Sequence, residues 1–209
     1  DTATLDADTP QLHVSASSPP PDRASAVVQA IRQGVPHVLG GADHVLFVLG
    51  LVLLVRDPAR LIGAATAFTF AHSLTLGLAV LGAIHLPSRP VEACIALSIL
   101  LLAAELRIER DTLSRRRPWL VAGLFGLVHG LGFAGALAEA GLPSGRALET
   151  LLGFNIGVEI GQIIILLLAL PIAIWTRRGP SWRRHLPTVG LGAAGLAWTL
   201  DRALVMLPW

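Results

Sequence analysis

The sequence predicts an all-α protein, a polytopic membrane helix bundle with about six transmembrane helices. Three observations predict it. Hydrophobic residues make up 53% of the chain and charged residues only 14%, with a mean hydropathy of +0.66. A soluble domain carries about a quarter charged residues. Long apolar segments recur along the chain, separated by short breaks rich in Pro, Gly and charge. The arginines in those breaks alternate in number from one break to the next, as orientation signals in a membrane do.

Residues 1 to 25, with "SASSPPPD" at their centre, read as a disordered extracytoplasmic tail or linker. The chain starts at Asp1 without an initiator Met or a signal-peptide pattern. That leads us to expect a processed product, or the membrane portion of a longer protein with an extracytoplasmic domain upstream. Residues 26–35, within "ASAVVQAIRQG", read either as an interfacial amphipathic helix or as an extra turn leading into the first span. The transmembrane domain is expected over 36–209.

Its six apolar segments are roughly 36–55, 61–84, 90–106, 118–140, 148–175 and 187–207. A straight crossing needs about twenty residues, so the third is short and the fifth is long enough to tilt or to extend beyond the bilayer. The breaks after segments one, three and five hold Arg56 and Arg60; then Arg107, Arg110, Arg115, Arg116 and Arg117; then Arg177, Arg178, Arg183 and Arg184. These are eleven of the sixteen basic residues. Arg23, Arg32, Arg89, Arg146 and Arg202 fall on the other side. The positive-inside rule puts the first set in the cytoplasm. The expected protein is therefore a multi-pass protein of the cell (inner) membrane, with both termini extracytoplasmic.

The sequence pI near 9.9 follows from these arginine loops, so no nucleic-acid partner is expected; the bilayer is the partner. The single cysteine, Cys94, permits no disulfide within the chain. No Walker A motif, dinucleotide fingerprint, nucleophile elbow or His-Glu-X-X-His motif is present, which argues against ATP-driven transport by this chain alone.

Ionisable side chains in a bilayer cost about 3 kcal/mol or more at mid-depth on insertion scales, so those present need a reason. His37, Asp43 and His44 lie in the first segment, "PHVLGGADHVLF". His72 lies in "FTFAHSLTL", His129 in "FGLVHGLGFA", and Asn155, Glu159 and Gln162 in "GFNIGVEIGQ". His44, His72 and His129 each stand eleven residues from the expected cytoplasmic end of their segments, about 17 Å deep at a rise of about 1.5 Å per residue. Three helices thus bring an imidazole to one depth. His37 and Glu159 count out higher, at about 27 and 25 Å, as an outer station.

His37 and His44 are about 10 Å apart on a regular helix, too far to share one ion at bonds near 2.1 Å. Either two sites follow in a row, or Gly40 and Gly41 unwind the helix. Asp43 points away from His44 in angle and is expected in or behind the ligand layer, orienting another histidine. Asn155, Glu159 and Gln162 form one polar stripe, with Gly153, Gly157 and Gly161 as a small-residue ridge on roughly the opposite face. Ser73 and Thr69 are expected to bond within their helix, as pathway or supporting residues at most. Glu92 and Glu105 read as solvated or Arg-paired, and Asp201 with Arg202 as a surface ion pair.

One buried intramembrane histidine is often only a hydrogen-bonded core residue. Four of them with two carboxylates suit a divalent transition-metal ion, Ni²⁺, Co²⁺ or Zn²⁺ among them. Cu⁺ would need thiolate or thioether, and only Cys94 and Met206 are available.

The four quoted stretches, in that order over about residues 30 to 175, together resemble the HupE/UreJ family. The likeness is greatest to its second branch, where a membrane domain follows an extracytoplasmic region. The resemblance implies a nickel or cobalt permease of the hydrogenase- and urease-accessory kind. It maps His37, Asp43 and His44 onto the first-helix signature, His129 onto the His-Gly motif and Glu159 onto the later glutamate. The expected function is a permease for a divalent metal ion. The alternative is an intramembrane zinc hydrolase, with three histidines as ligands and Asp43 or Glu159 as general base. A closed midplane site would favour the enzyme. A polar path continuing to the cytoplasm would favour the permease, but below His44 the first segment shows only Leu, Val and Phe, with no inner station.

Overall fold

The computed structural model describes residues 3–5, 12–14, 22–84, 86–139 and 147–206; side chains are described for 22–84, 86–132 and 148–206. Arg146 and His85 lie outside the described residues. Two short strands, β1 (Ala3–Leu5) and β2 (Leu12–Val14), pair antiparallel within the stretch expected to be a tail. The rest is helical: α1 (Arg23–Gly40), α2 (Ala42–Leu54), α3 (Pro58–Val80), α4 (Ser88–Arg107), α5 (Leu113–Arg116), α6 (Pro118–Glu139), α7 (Ala147–Arg178) and α8 (Ser181–Leu204). The all-α bundle is as expected. Residues 26–35 are the middle of α1, which begins at an Asp22 cap accepting from Ser25 N at 2.8 Å.

Among the described residues, Pro58–Val80 and Leu148–Arg178 are each long and apolar enough to cross a membrane. Arg23–Gly40 and Ala42–Leu54, bent by 70° at their junction, together make a third candidate. By this measure the crossings number two or three, and the expected count of six is not reached. Large apolar side chains are nevertheless exposed along the outer face. Phe70, Leu168 and Leu124 stand 73%, 68% and 54% exposed, a surface that water would not tolerate over such an area. This is a membrane protein, with that belt against lipid.

Helix α2 sits at the centre. At 13 residues it is about 20 Å long, too short to cross alone. Phe47, Val48, Leu51 and Val52 are all 2% exposed or less. Its side chains belong to every core cluster: Val48 and Val52 pack with α1, α3 and α7, Phe47 and Leu51 with α3, α4 and α6, and Leu46 and Leu49 with α4 and α8. Beyond its first turn, which carries Asp43 and His44, the helix is apolar all round, and a helix surrounded on all sides needs no polar face.

The outer helices pack as pairs, α3 on α6, α1 on α7 and α4 on α8. Glycines set the first two. A Cβ on Gly157 would fall on Ile31 O and lie 2.9 Å from Gly34 Cα; one on Gly161 would lie 3.0 Å from Val38 Cβ. The ridge of Gly153, Gly157 and Gly161 is thus the seam with α1, as its spacing suggests. Gly126 and Gly130 do the same for α6, against the backbone of Phe68 and His72.

Gly157→Val should therefore lower stability by about 1–3 kcal/mol through overpacking, read as a drop in the detergent-solubilised melting temperature. Gly63, with open space around its Cα, should accept Ala with no loss. Equal melting of Gly157→Val and the parent would refute the close α1–α7 seam.

Candidate functional site

Where α1 gives way to α2, the backbone of Gly41 is extended (φ −77°, ψ 101°). The break keeps its hydrogen bonds: Gly41 N donates to His37 O and Gly41 O accepts from Val45 N, both at 3.0 Å. Of the two arrangements left open for His37 and His44, the structure adopts the unwound one. Their ring centroids are 4.9 Å apart. His37 is therefore no outer station; it joins the mid-depth group.

Helix α3 adds His72 and α6 adds His129. Their centroids lie 5.8 and 5.4 Å from that of His44, and His72 lies 6.2 Å from His37. The three histidines matched by depth are buried, at 3%, 0% and 1% exposure for His44, His72 and His129. Phe47, Phe68 and Phe154 wall the group, with Phe154 centred 5.2 Å from His37 and Phe68 5.0 Å from His129.

Hydrogen bonds choose the tautomers. His129 Nδ1–H donates to Phe125 O at 2.9 Å, and His44 Nδ1–H donates to Asp43 Oδ1 at 3.2 Å. Each bond leaves Nε2 with its lone pair, the arrangement that metal-binding histidines adopt. Asp43 thus stands behind His44, its own neighbour, and not behind another histidine as the helical angle suggested; the turn at the start of α2 lets adjacent side chains meet. His44 Nε2, His129 Nε2 and both nitrogens of His72 are buried with no hydrogen-bond partner. Each such atom costs about 1–3 kcal/mol. The break adds a field of the right sign: His37 is in the last turn of α1, where the helix dipole favours a cation, and Asp43 in the first turn of α2, where it favours an anion.

Two imidazoles bound through Nε2 at about 2.1 Å and tetrahedral angles have centroids roughly 5 Å apart, close to the spacings here. The rings stand edge to face, however, and among the described residues no three His, Cys, Asp or Glu side chains meet in a metal-holding arrangement. Ring positions suit a shared ion; ring rotations would have to complete it.

Glu159 is placed elsewhere. It accepts from Thr66 Oγ1 at 3.2 Å, while Gln162 Oε1 accepts from Thr69 Oγ1 at 2.7 Å. Thr66 and Thr69 precede His72 on α3 by about 9 and 4.5 Å, toward the arginine-rich end. Glu159 and Gln162 then open on a groove of about 420 Å³ that ends at Arg56 and Arg177. The outer position expected for Glu159 is corrected: α7, at 32 residues, is about 48 Å long, more than a crossing needs, so counting residues from its end overstates depth. Ser73 Oγ donates to Thr69 O at 2.6 Å, within the helix as expected. Asn155 Oδ1 is buried without a partner.

On the opposite side, Asp43 reaches a cavity of about 210 Å³ that also holds Glu92, Arg202 and Trp198. Arg202 pairs with Glu92 at 2.9 Å and with Asp201 at 3.1 Å. Sequence reasoning overlooked Thr66 and set Glu92 aside. The spacing of Thr66, Thr69 and His72, one helical face at three-residue intervals, was the available signal for the first; nothing local marked the second.

In comparisons with known proteins, the family model described as "HupE / UreJ protein" matches residues 14–202. No curated protein and no solved structure matches the chain.

A side chain on Gly41 would meet His44 Nδ1 at 2.8 Å and Asp43 Oδ1 at 2.9 Å, whereas Gly40 has open space. Gly41→Ala should therefore break the Asp43–His44 bond, seen by ¹⁵N histidine NMR as loss of its Nδ1–H signal, and Gly40→Ala should keep it. An unchanged spectrum in Gly41→Ala would contradict this geometry.

Proposed function

The chain belongs to the HupE/UreJ family, and on that premise we propose that it is an inner-membrane permease for a divalent transition-metal ion, nickel or cobalt, with both termini outside. One observation carries the proposal: the meeting of His37, His44, His72 and His129 from four helices, with the Nε2 atoms of His44 and His129 left as acceptors by their Nδ1 bonds. Neutral imidazoles are suited to Ni²⁺ and Co²⁺.

The ion enters from outside by the cavity of Asp43, Glu92 and Arg202. The Asp43 carboxylate draws it inward and, through its bond to His44, holds that ring with Nε2 presented. The histidines take the ion in place of water. Thr69 with Gln162, then Thr66 with Glu159, supply oxygen ligands on the inner side, and these are the inner station that the first segment lacks. Glu159 balances the charge of the ion as it leaves the histidines. A hydrolase is less well supported. It needs a free general base at the histidines, and Asp43 is bonded to His44 while Glu159 is bonded to Thr66.

The orientation rests on the arginine asymmetry. Arg56, Arg107, Arg115, Arg177 and Arg184 meet at one end of the bundle. In a Cys94→Ser background, Arg115→Cys should react with a membrane-impermeant maleimide only in inverted vesicles, and Arg23→Cys only in intact cells. The reverse pattern would invert the topology.

Proteoliposomes of folded, inserted protein should take up Ni²⁺ or Co²⁺. Calorimetry should show binding that is lost in the triple His44→Ala, His72→Ala, His129→Ala variant and weakened about 10–100-fold in Asp43→Asn. Glu159→Gln should slow uptake while binding persists. Binding by the triple variant equal to that of the parent would eliminate the site. Absence of uptake with binding intact would eliminate the permease.

A further inference from the structure

A sizeable cavity lies away from the histidines. It has a volume of about 620 Å³ and lies at the arginine-rich end, between the turns that follow α2, α4 and α7. Arg56, Arg107, Arg115, Arg177 and Arg184 line it, and Glu109 is the only carboxylate among its lining residues. A cavity of roughly 300–1,000 Å³ is the size that holds small-molecule ligands.

The positive-inside rule accounts for arginines on this side of the membrane, but only for their side. It does not require three separate turns to aim guanidiniums at one space. The neighbours make the contrast. Arg60 and Arg116, at the same end but outside the cavity's lining, pair with Asp57 at 3.5 Å and Asp111 at 2.8 Å. Among the described residues, none of the five lining arginines has a carboxylate partner within ion-pair distance.

Two of the five are fixed in place. Arg177 Nη2 donates to Val52 O at 2.7 Å and Val55 O at 3.0 Å, closing the end of α2. Arg115 Nη2 donates to Ile108 O at 2.9 Å and Glu105 O at 3.2 Å, closing the end of α4. Both use one edge of the guanidinium on a helix C-terminus, where a cation is favoured. Both leave Nε buried without a partner. Arg107 Nη1 donates at 2.6 Å to Nδ1 of His185, which also lines the cavity, and Arg184 is exposed. A concave space with several converging, pre-placed guanidiniums and one carboxylate is electrostatically incomplete. Guanidinium forks match the paired oxygens of a phosphate group, in geometry as well as charge. Basic pockets between membrane helices on the cytoplasmic side bind phospholipid head groups for this reason.

We propose that this arginine-lined cavity binds a phosphate-bearing anion, either the head group of an anionic phospholipid or a free phosphate. The cavity shares Arg56 and Arg177 with the groove below Glu159, but the proposal does not rest on the permease reading.

The test uses the full chain. In one arm, protein in nanodiscs of phosphatidylcholine with phosphatidylglycerol is released into native mass spectrometry. In the other, protein in neutral detergent is melted with increasing inorganic phosphate, with chloride at matched ionic strength as control. The variant is Arg107→Lys with Arg184→Lys. It keeps every positive charge, and so the topology, but removes two forks; neither residue caps a helix. Arg184→Lys alone serves if the pair lowers expression. A retained phosphatidylglycerol in the parent, reduced about tenfold in the variant (about 1.4 kcal/mol), assigns the site to lipid. Phosphate-specific stabilisation in the parent, lost in the variant, assigns it to a free oxyanion. Lack of both in the parent, or binding unchanged by the lysines, overturns the proposal.

Discussion

A helix that stops inside a bilayer leaves amide and carbonyl groups that lipid cannot satisfy. This protein accepts that cost at Gly41, and the rest of the bundle is arranged around the break. The junction keeps one hydrogen bond on each side, to His37 O and from Val45 N. Beside the break, the histidines sit in a space walled by Phe47, Phe68 and Phe154. Helix α2 can be short, and apolar beyond His44, because α1, α3, α4, α7 and α8 surround it. An unbroken first helix would hold His37 and His44 about 10 Å apart and leave no common site.

Close backbone approach then supplies the remaining partners. The glycine seams bring α7 onto α1 and α6 onto α3 at distances that a Cβ would prevent. The α3–α6 seam runs through His72 itself, since Gly130 lies against its carbonyl. The same contact that stabilises the helix pair therefore sets the position of His72 relative to His129. Packing and site are one feature of the fold, so mutations in the seams act on both.

The two ends of the bundle differ in charge and in use. At one end a small cavity holds Asp43 and Glu92 against a single arginine, Arg202. At the other, arginines finish the central helix α2 and the outer helix α4, taking carbonyls at their ends. Trp175 and Trp182 flank Arg183 there, its guanidinium 4.9 and 5.5 Å from their rings, as aromatic and basic residues do at a membrane surface. Between the ends, polar groups on α3 and α7 descend from the histidines through Thr69 and Thr66.

Much of this was legible in the sequence, because it depends on period and composition. Helical content, the apolar segments, the clustering of odd-numbered arginine turns, the glycine ridge of α7 and the common depth of His44, His72 and His129 all follow from local pattern. Depth reckoned by a uniform rise failed where the helix was not straight or not upright. At Gly41 the 70° bend carries His37 into the histidine group and lets Asp43 reach its own neighbour. The packing of α7 against α3 carries Glu159 to Thr66 on the arginine-rich side. Those placements depend on the angle between helices, which is set by how distant surfaces fit together. No window of sequence contains that angle, so only the tertiary structure decided which polar groups share a site.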